Sequence, residues 1–311
     1  MIDAELDTYL SEWERHWTLL PAGASLQERR ILSHHLAADM ALPRPGGVGT
    51  SVRFVRSGGR LVPVRVDRFT DASLQPCLLY IHGGGFTQGS PATHADITMQ
   101  IAAENRQTVL GIDYSLAPEN PFPAALHECR DVAVWAFENA AELGIDPQRI
   151  AVGGDSAGAN LAAALTLALR GTPHAPAAQL LAYPCLHFEM SLPSYRENAD
   201  APLLPVAALP AMISAYCPDP ANRTNPLAAP LHAESFAGLP PAFIAVADID
   251  PLRDDGYAYA ERLRAAGVAV EFHAGKGLIH GYLRAMKFSS TARQILAAMA
   301  SWLAAATTPG P

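Results

Sequence analysis

Charge is scarce in this chain. Charged residues make up 17% of its 311 positions, against about 25% in an ordinary globular protein. Hydrophobic residues make up 50%, so the composition is opposite to that of a disordered chain. Basic residues are outnumbered, 22 to 30, for a net charge of −8 with His neutral. That excludes the basic footprint of a general nucleic-acid binder. Long apolar runs are missing too: Leu161–Leu169 is short and includes Thr166. No stretch approaches the roughly 20 residues of a membrane span. The opening MIDAELDTYL has neither a basic nor an apolar leader region, which gives a cytoplasmic expectation. Cysteine is limited to Cys77, Cys129, Cys185 and Cys217, with no CxxC among them, so neither a disulfide framework nor a zinc knuckle is indicated. HExxH, the Walker spacing and a helix-opening GxGxxG are all absent, which removes the usual metal and nucleotide signatures. No cofactor is expected.

Proline and glycine, by contrast, are plentiful, at 26 and 23. The chain begins with Ile2, Leu6, Tyr9, Leu10, Trp13 and Trp17 at helical spacing. Ser25 and Glu28 read as a capping box for a second helix to about Leu42, and Pro43–Gly49 reads as a linker. Residues 51–69 alternate and carry Ser57-Gly58-Gly59, which predicts a hairpin. Beyond them, short apolar runs at Cys77–Ile81, Thr108–Ile112, Ile150–Val152, Gln179–Ala182, Phe243–Ala247 and Val268–Phe272 alternate with helical stretches. This predicts an α/β fold with a mostly parallel sheet buried on both faces. The Pro-rich segment 186–238, with a possible helix at Val206–Tyr216, breaks the rhythm and reads as an insertion.

Two glycine clusters sit at strand ends. Gly154-Asp155-Ser156-Ala157-Gly158 follows one strand and opens a helix. In that context G-x-S-x-G is a nucleophile elbow, a strained turn that projects the serine hydroxyl above the sheet. The plainer alternative is a glycine turn with a capping serine. His82-Gly83-Gly84-Gly85-Phe86 follows Cys77–Ile81. Consecutive glycines let backbone N–H groups approach and stabilise an alkoxide, and Ala157 would add a further donor. A serine nucleophile needs a base and an orienting acid. Asp248 and Asp250 both lie at the end of the Phe243–Ala247 run, and either could be the acid. His273 reads as a strand side chain. His280 lies in the glycine-flanked Gly277–Gly281 loop, which can carry an imidazole over the serine. His94, His127, His174, His187 and His232 read as surface or structural residues.

Together these residues resemble the hormone-sensitive-lipase-like esterases, family IV of the bacterial lipolytic enzymes, in the α/β-hydrolase superfamily. The matching pieces are HGGGF (His82–Phe86), DYSLAPENPFPAAL (Asp113–Leu126), GDSAGAN (Gly154–Asn160), DPLRDDG (Asp250–Gly256) and LIHGY (Leu278–Tyr282), in family order. The resemblance implies a triad of Ser156, Asp250 and His280, which selects Asp250 over Asp248. It implies oxyanion donors at Gly84, Gly85 and Ala157, with His82, Gly83 and Asp155 as supporting motif residues. It also implies a cap built from residues 1–48 and an insertion at about 186–238, on a catalytic domain of 49–311. At least one cis bond is expected at Ala117-Pro118 or Phe122-Pro123. Ser115 stands where the family usually has arginine, a departure bearing on a local surface or interface contact. The implied activity is hydrolysis of short- to medium-chain acyl esters, with no metal, a small-molecule ester as partner, no nucleic acid and a possible homodimer. Amide, carbamate or formamide hydrolysis by the same triad is the nearest alternative. A non-catalytic ligand receptor on the same fold is another, although such a receptor lacks the histidine that stands here at His280.

Overall fold

The computed structural model describes residues 1–71 and 74–308; the tail prolines Pro309 and Pro311 lie outside them. Eight strands form one sheet: β1 (Val48–Ser57), β2 (Arg60–Phe69), β3 (Gln75–Ile81), β4 (Thr108–Ile112), β5 (Ile145–Asp155), β6 (Gln179–Ala182), β7 (Ala242–Ala245) and β8 (Val270–His273). Their order is β1-β2-β4-β3-β5-β6-β7-β8. β1 and β2 are the expected hairpin, with Ser57 opposite Arg60 and Gly58 at φ +54° in the turn. β2 meets β4 antiparallel, and every pairing from β4 to β8 is parallel.

Every residue of β3 and β4 is buried, as continuous apolar runs between two helical layers require. One correction applies at the far edge. The run Val268–Phe272 was expected to be buried on both faces, but β8 is the last strand and stays partly exposed. An edge strand has a neighbour on one side only. Besides two short helices at Ala140–Leu143 and Pro193–Glu197, the α-helices are α1 (Leu6–Trp17), α2 (Leu26–Asp39), α3 (Ala95–Glu104), α4 (Ala124–Glu138), α5 (Ala157–Leu169), α6 (Leu209–Tyr216), α7 (Arg253–Ala265) and α8 (Ser290–Ala306). α5 is alanine- and leucine-rich on all sides and almost wholly buried, as expected for a helix without a polar face. None of the helices among the described residues is long and apolar enough to cross a membrane.

Boundaries shift where side chains compete with the helix. α1 begins at Leu6 rather than near Ile2, because the Asp3 carboxylate accepts from the Glu5 N–H and the Asp3 N–H donates to the Gly277 carbonyl, at 3.0 and 2.9 Å. α2 has the predicted capping box at Ser25 and Glu28. It stops at Asp39, whose carboxylate lies 2.7 Å from His16 Nε2 and so ties α2 to α1. The linker is shorter than expected, since β1 starts at Val48 and pairs Gly49 with Arg68. Within Val206–Tyr216 only α6 is α-helical, and the first three residues form a 3-10 turn.

Both α1 and α2 lie over the carboxyl ends of the parallel strands, where strand order reverses and an open α/β sheet leaves its crevice. Arg30 of α2 fixes that position. Its guanidinium donates to the carbonyls of Thr87 and Ala117, at 2.8 and 3.0 Å, and pairs with Glu119. Ala117-Pro118 and Phe122-Pro123 are both cis.

Candidate active site

Four segments leave the sheet at the same edge and converge. β5 ends at Asp155, and Ser156 follows at φ +54°, ψ −120° before α5 begins at Ala157. That backbone region is strained for any residue but glycine. The turn is tight because α5 presses on the end of β3. A Cβ on Gly158 would collide with the Ile81 carbonyl oxygen and reach 2.6 Å from that of His82, and one on Gly154 would also strike Ile81. Gly158→Ala is therefore expected to push the elbow off β3 and destabilise the fold by about 1–3 kcal/mol, the usual cost of overpacking. Gly46→Ala, with open space around its Cβ, should leave the unfolding midpoint in urea unchanged.

The loop after β3 supplies the second piece. Gly84 and Gly85 have φ values of +121° and +58°. A Cβ on Gly84 would meet the Gln88 carbonyl, and one on Gly85 would sit 2.8 Å from Met212 Sδ. Among the described residues, none accepts a hydrogen bond from the N–H groups of Gly84, Gly85 or Ala157. All three residues line one cavity with Ser156. Ala157 also opens α5, so the partial positive charge of the helix N-terminus points into the same space.

Asp155 and His82 hold this loop from beneath. The buried Asp155 carboxylate accepts from Tyr80 Oη at 2.8 Å and from the Gly83 N–H at 3.0 Å, and lies 3.4 Å from His94 Nε2. Burial by itself would raise the Asp155 carboxyl. His94, Tyr80 and the Gly83 N–H outweigh it and hold the group at about 2. His82 is stacked on Tyr114, and its own burial, reinforced by His94, drops its imidazole to about 3. It is therefore a neutral support. His94, read from sequence as surface or structural, is buried in this network and lines the cavity. Only its position twelve residues past His82 could have hinted at it.

The candidate acid and base arrive together. β7 and β8 run parallel, and beyond their ends Ile249 and Ile279 form an isolated parallel bridge. The next residue on each side is Asp250 and His280. Asp250 Oδ2 accepts from His280 Nδ1 at 2.7 Å, and His280 Nε2 lies 2.8 Å from Ser156 Oγ. Asp250 is fully buried, and its other oxygen accepts the Leu252 N–H at 2.8 Å. A carboxylate can only accept here, so Nδ1 carries the imidazole proton and Nε2 is free to accept from the serine. Asp248 instead accepts the Gly277 N–H at 3.4 Å and braces the histidine loop from behind. His273 closes β8, stacks on Phe243 and faces Glu271.

Two further residues gain roles that sequence alone did not give. Asn160 donates to the carbonyls of Cys185 and Ala228, at 2.8 and 2.9 Å, and so fastens α5 to the start of the insertion and to a point within its second half. Ser115 is buried rather than at a surface contact, which corrects the expectation. Its hydroxyl and N–H both bind Glu128, at 2.7 and 2.6 Å, and Arg60 pairs with the same carboxylate from β2. The cation at this point thus comes from another strand.

Above Ser156 lies a cavity of about 630 Å³, within the range of small-molecule sites. α1 and α2 contribute Trp13, Trp17 and Leu36, and the insertion contributes Leu204, Leu209 and Met212. Trp13 and Trp17 stack at 4.8 Å.

Known proteins share this fold. Residues 78–284 match the alpha/beta hydrolase fold family. Over 216 residues the chain is 46% identical to Esterase LipI of Mycobacterium tuberculosis, covering 68% of this chain and 67% of that protein. It is 36% identical to the ethyl acetate hydrolase of Pseudomonas putida over 231 residues, 73% of each chain. Among solved structures, the thermophilic carboxylesterase EstE1 from a metagenomic library is 32% identical, with a TM-score of 0.88 over 93% of this chain and 100% of that one. The chain belongs to the alpha/beta hydrolase fold family and, within it, to the hormone-sensitive-lipase-like esterases.

Proposed function

We propose that this protein is a serine carboxylesterase acting on short- to medium-chain acyl esters through an acyl-enzyme. The observation that carries the reading is the continuous hydrogen-bonded line Asp250–His280–Ser156 on the floor of an apolar cavity. His280 takes the Ser156 proton as the hydroxyl attacks the ester carbonyl. Asp250 orients the imidazole and stabilises its charged form. The N–H groups of Gly84, Gly85 and Ala157 hold the tetrahedral oxyanion. His280 then protonates the leaving alcohol, activates water against the acyl-enzyme and returns to its starting state as the acid departs.

Residues 1–48 and the insertion at about 186–238 act as a cap on the catalytic domain. Their apolar side chains exclude water from the acyl chain, and Arg30 keeps the N-terminal helices seated on the loop that carries the oxyanion donors. The test is a p-nitrophenyl ester series of increasing acyl length, run beside an amide isostere of the best ester. Expected is a maximum of kcat/KM at short to medium chains and much slower amide turnover. A faster amide would overturn the ester reading.

A further inference from the structure

The cavity above Ser156 carries uncompensated positive charge. Arg29 of α2 and Arg284, four residues beyond His280, both line it. Among the described residues, Asp155 is the only carboxylate in its wall, and Tyr80, Gly83 and His94 already engage that group. Neither Arg29 nor Arg284 has a side-chain hydrogen bond or ion pair with any described residue. Arg29 is exposed at the cavity mouth, whereas Arg284 is half-buried. The charge of Arg284 reaches the buried Tyr9 phenol, which burial pushes up and Arg284 pulls down.

A half-buried cation gives up part of its hydration, and no hydrogen bond or ion pair from the described residues replaces it. In a protein with a net charge of −8, carboxylates are in excess, yet among the described residues none forms an ion pair with Arg284, although Asp96 shares a small neighbouring pocket with it. The planar guanidinium fork matches a carboxylate in two-point geometry. Trp13, Trp17, Leu204, Leu209 and Met212 line the same cavity as Arg284 and Ser156, and such side chains suit a short methylene chain with an ester at one end and an anion at the other.

We propose that the preferred substrates are half-esters: monoesters of dicarboxylic acids, with the free carboxylate held by Arg284 and drawn in by Arg29. The inference rests on the esterase reading above and names the substrate class of that same site. No new chemical step is involved. Water still cleaves the one acyl–oxygen bond, and the distal carboxylate is unchanged.

The experiment compares kcat/KM for monoethyl adipate and for diethyl adipate, near neutral pH by pH-stat, in wild type, R284Q, R284K and R29Q. Expected for wild type is a preference for the half-ester of about tenfold, a ratio worth about 1.4 kcal/mol. Added potassium chloride should lower that ratio, because the steering part of the attraction is screened. R284Q should collapse the ratio, R284K should retain part of it, and R29Q should reduce it mainly at low salt. A wild type that favours the diester, or an R284Q with an unchanged ratio, overturns the inference while the diester turnover keeps the esterase reading standing. If wild type hydrolyses neither ester, the esterase reading falls and this inference falls with it. Unfolding midpoints of the variants separate loss of the ratio from loss of the fold.

Discussion

Ser156→Ala is expected to abolish p-nitrophenyl butyrate turnover, with kcat falling by roughly 10⁶, as when a serine hydrolase loses its nucleophile. The reason is local. Ser156 Oγ is the atom 2.8 Å from His280 Nε2, beside the unengaged N–H groups of Gly84, Gly85 and Ala157. Alanine removes that oxygen and keeps the rest. It must occupy the same backbone region, φ +54° and ψ −120°, so the strain of the turn is retained and the unfolding midpoint should barely move. Any residual rate reflects the oxyanion donors and substrate binding alone. Wild type and variant with equal rates would show that another group performs the attack. Active-site titration with a phosphonate ester adds an independent readout: one equivalent should label wild type, and none should label the variant.

Asp250→Asn should lower kcat by about 10⁴ with little change in the fold, while Asp248→Asn should cost far less. Asp250 Oδ1 accepts the Leu252 N–H and Oδ2 faces His280 Nδ1. In asparagine the single oxygen is held by Leu252, so the NH₂ group faces the imidazole. Nδ1 must then accept, the ring proton moves to Nε2, and the ring can no longer take the serine proton. That is a tautomer fault, and cost of about this size follows such a fault in a serine protease triad. Among the described residues, the Asp248 carboxylate accepts only the Gly277 N–H, at 3.4 Å. Losing its charge loosens the loop without changing the ring. Comparable losses in both variants would mean that the loop, rather than the tautomer, governs the rate.

These two variants also mark how far the sequence could be read. The elbow was legible because Gly154, Ser156 and Gly158 form a local pattern between a strand and a helix. The close backbone approach at His82–Phe86 was legible for the same reason, since consecutive glycines meet a local backbone requirement. β3 and β4 were legible as fully apolar runs, and the capping box at Ser25 and Glu28 as a three-residue spacing. The edge position of β8 was not, because burial of a strand depends on how many neighbours it finds. Asp248 and Asp250 could not be separated by their own surroundings. Both follow the same apolar run, and the resemblance to a family was needed to choose.

The sequence by itself determined the local chemistry: a serine on a strained turn, glycines that admit close backbone approach, and a histidine loop that follows them in chain order. Only the tertiary structure decided the partners. The bridge between Ile249 and Ile279 aligns β7 and β8 so that Asp250 and His280 emerge side by side. Arg30 locks α2 onto the oxyanion loop across 57 and 87 positions. His94 is brought beneath Asp155, and Arg284 lines the cavity without an ion pair to any described residue. Turn and strand propensities act over a few residues and leave a periodic trace. Contacts between distant loops are set by sheet register and packing, and they leave no spacing in the chain from which to read them.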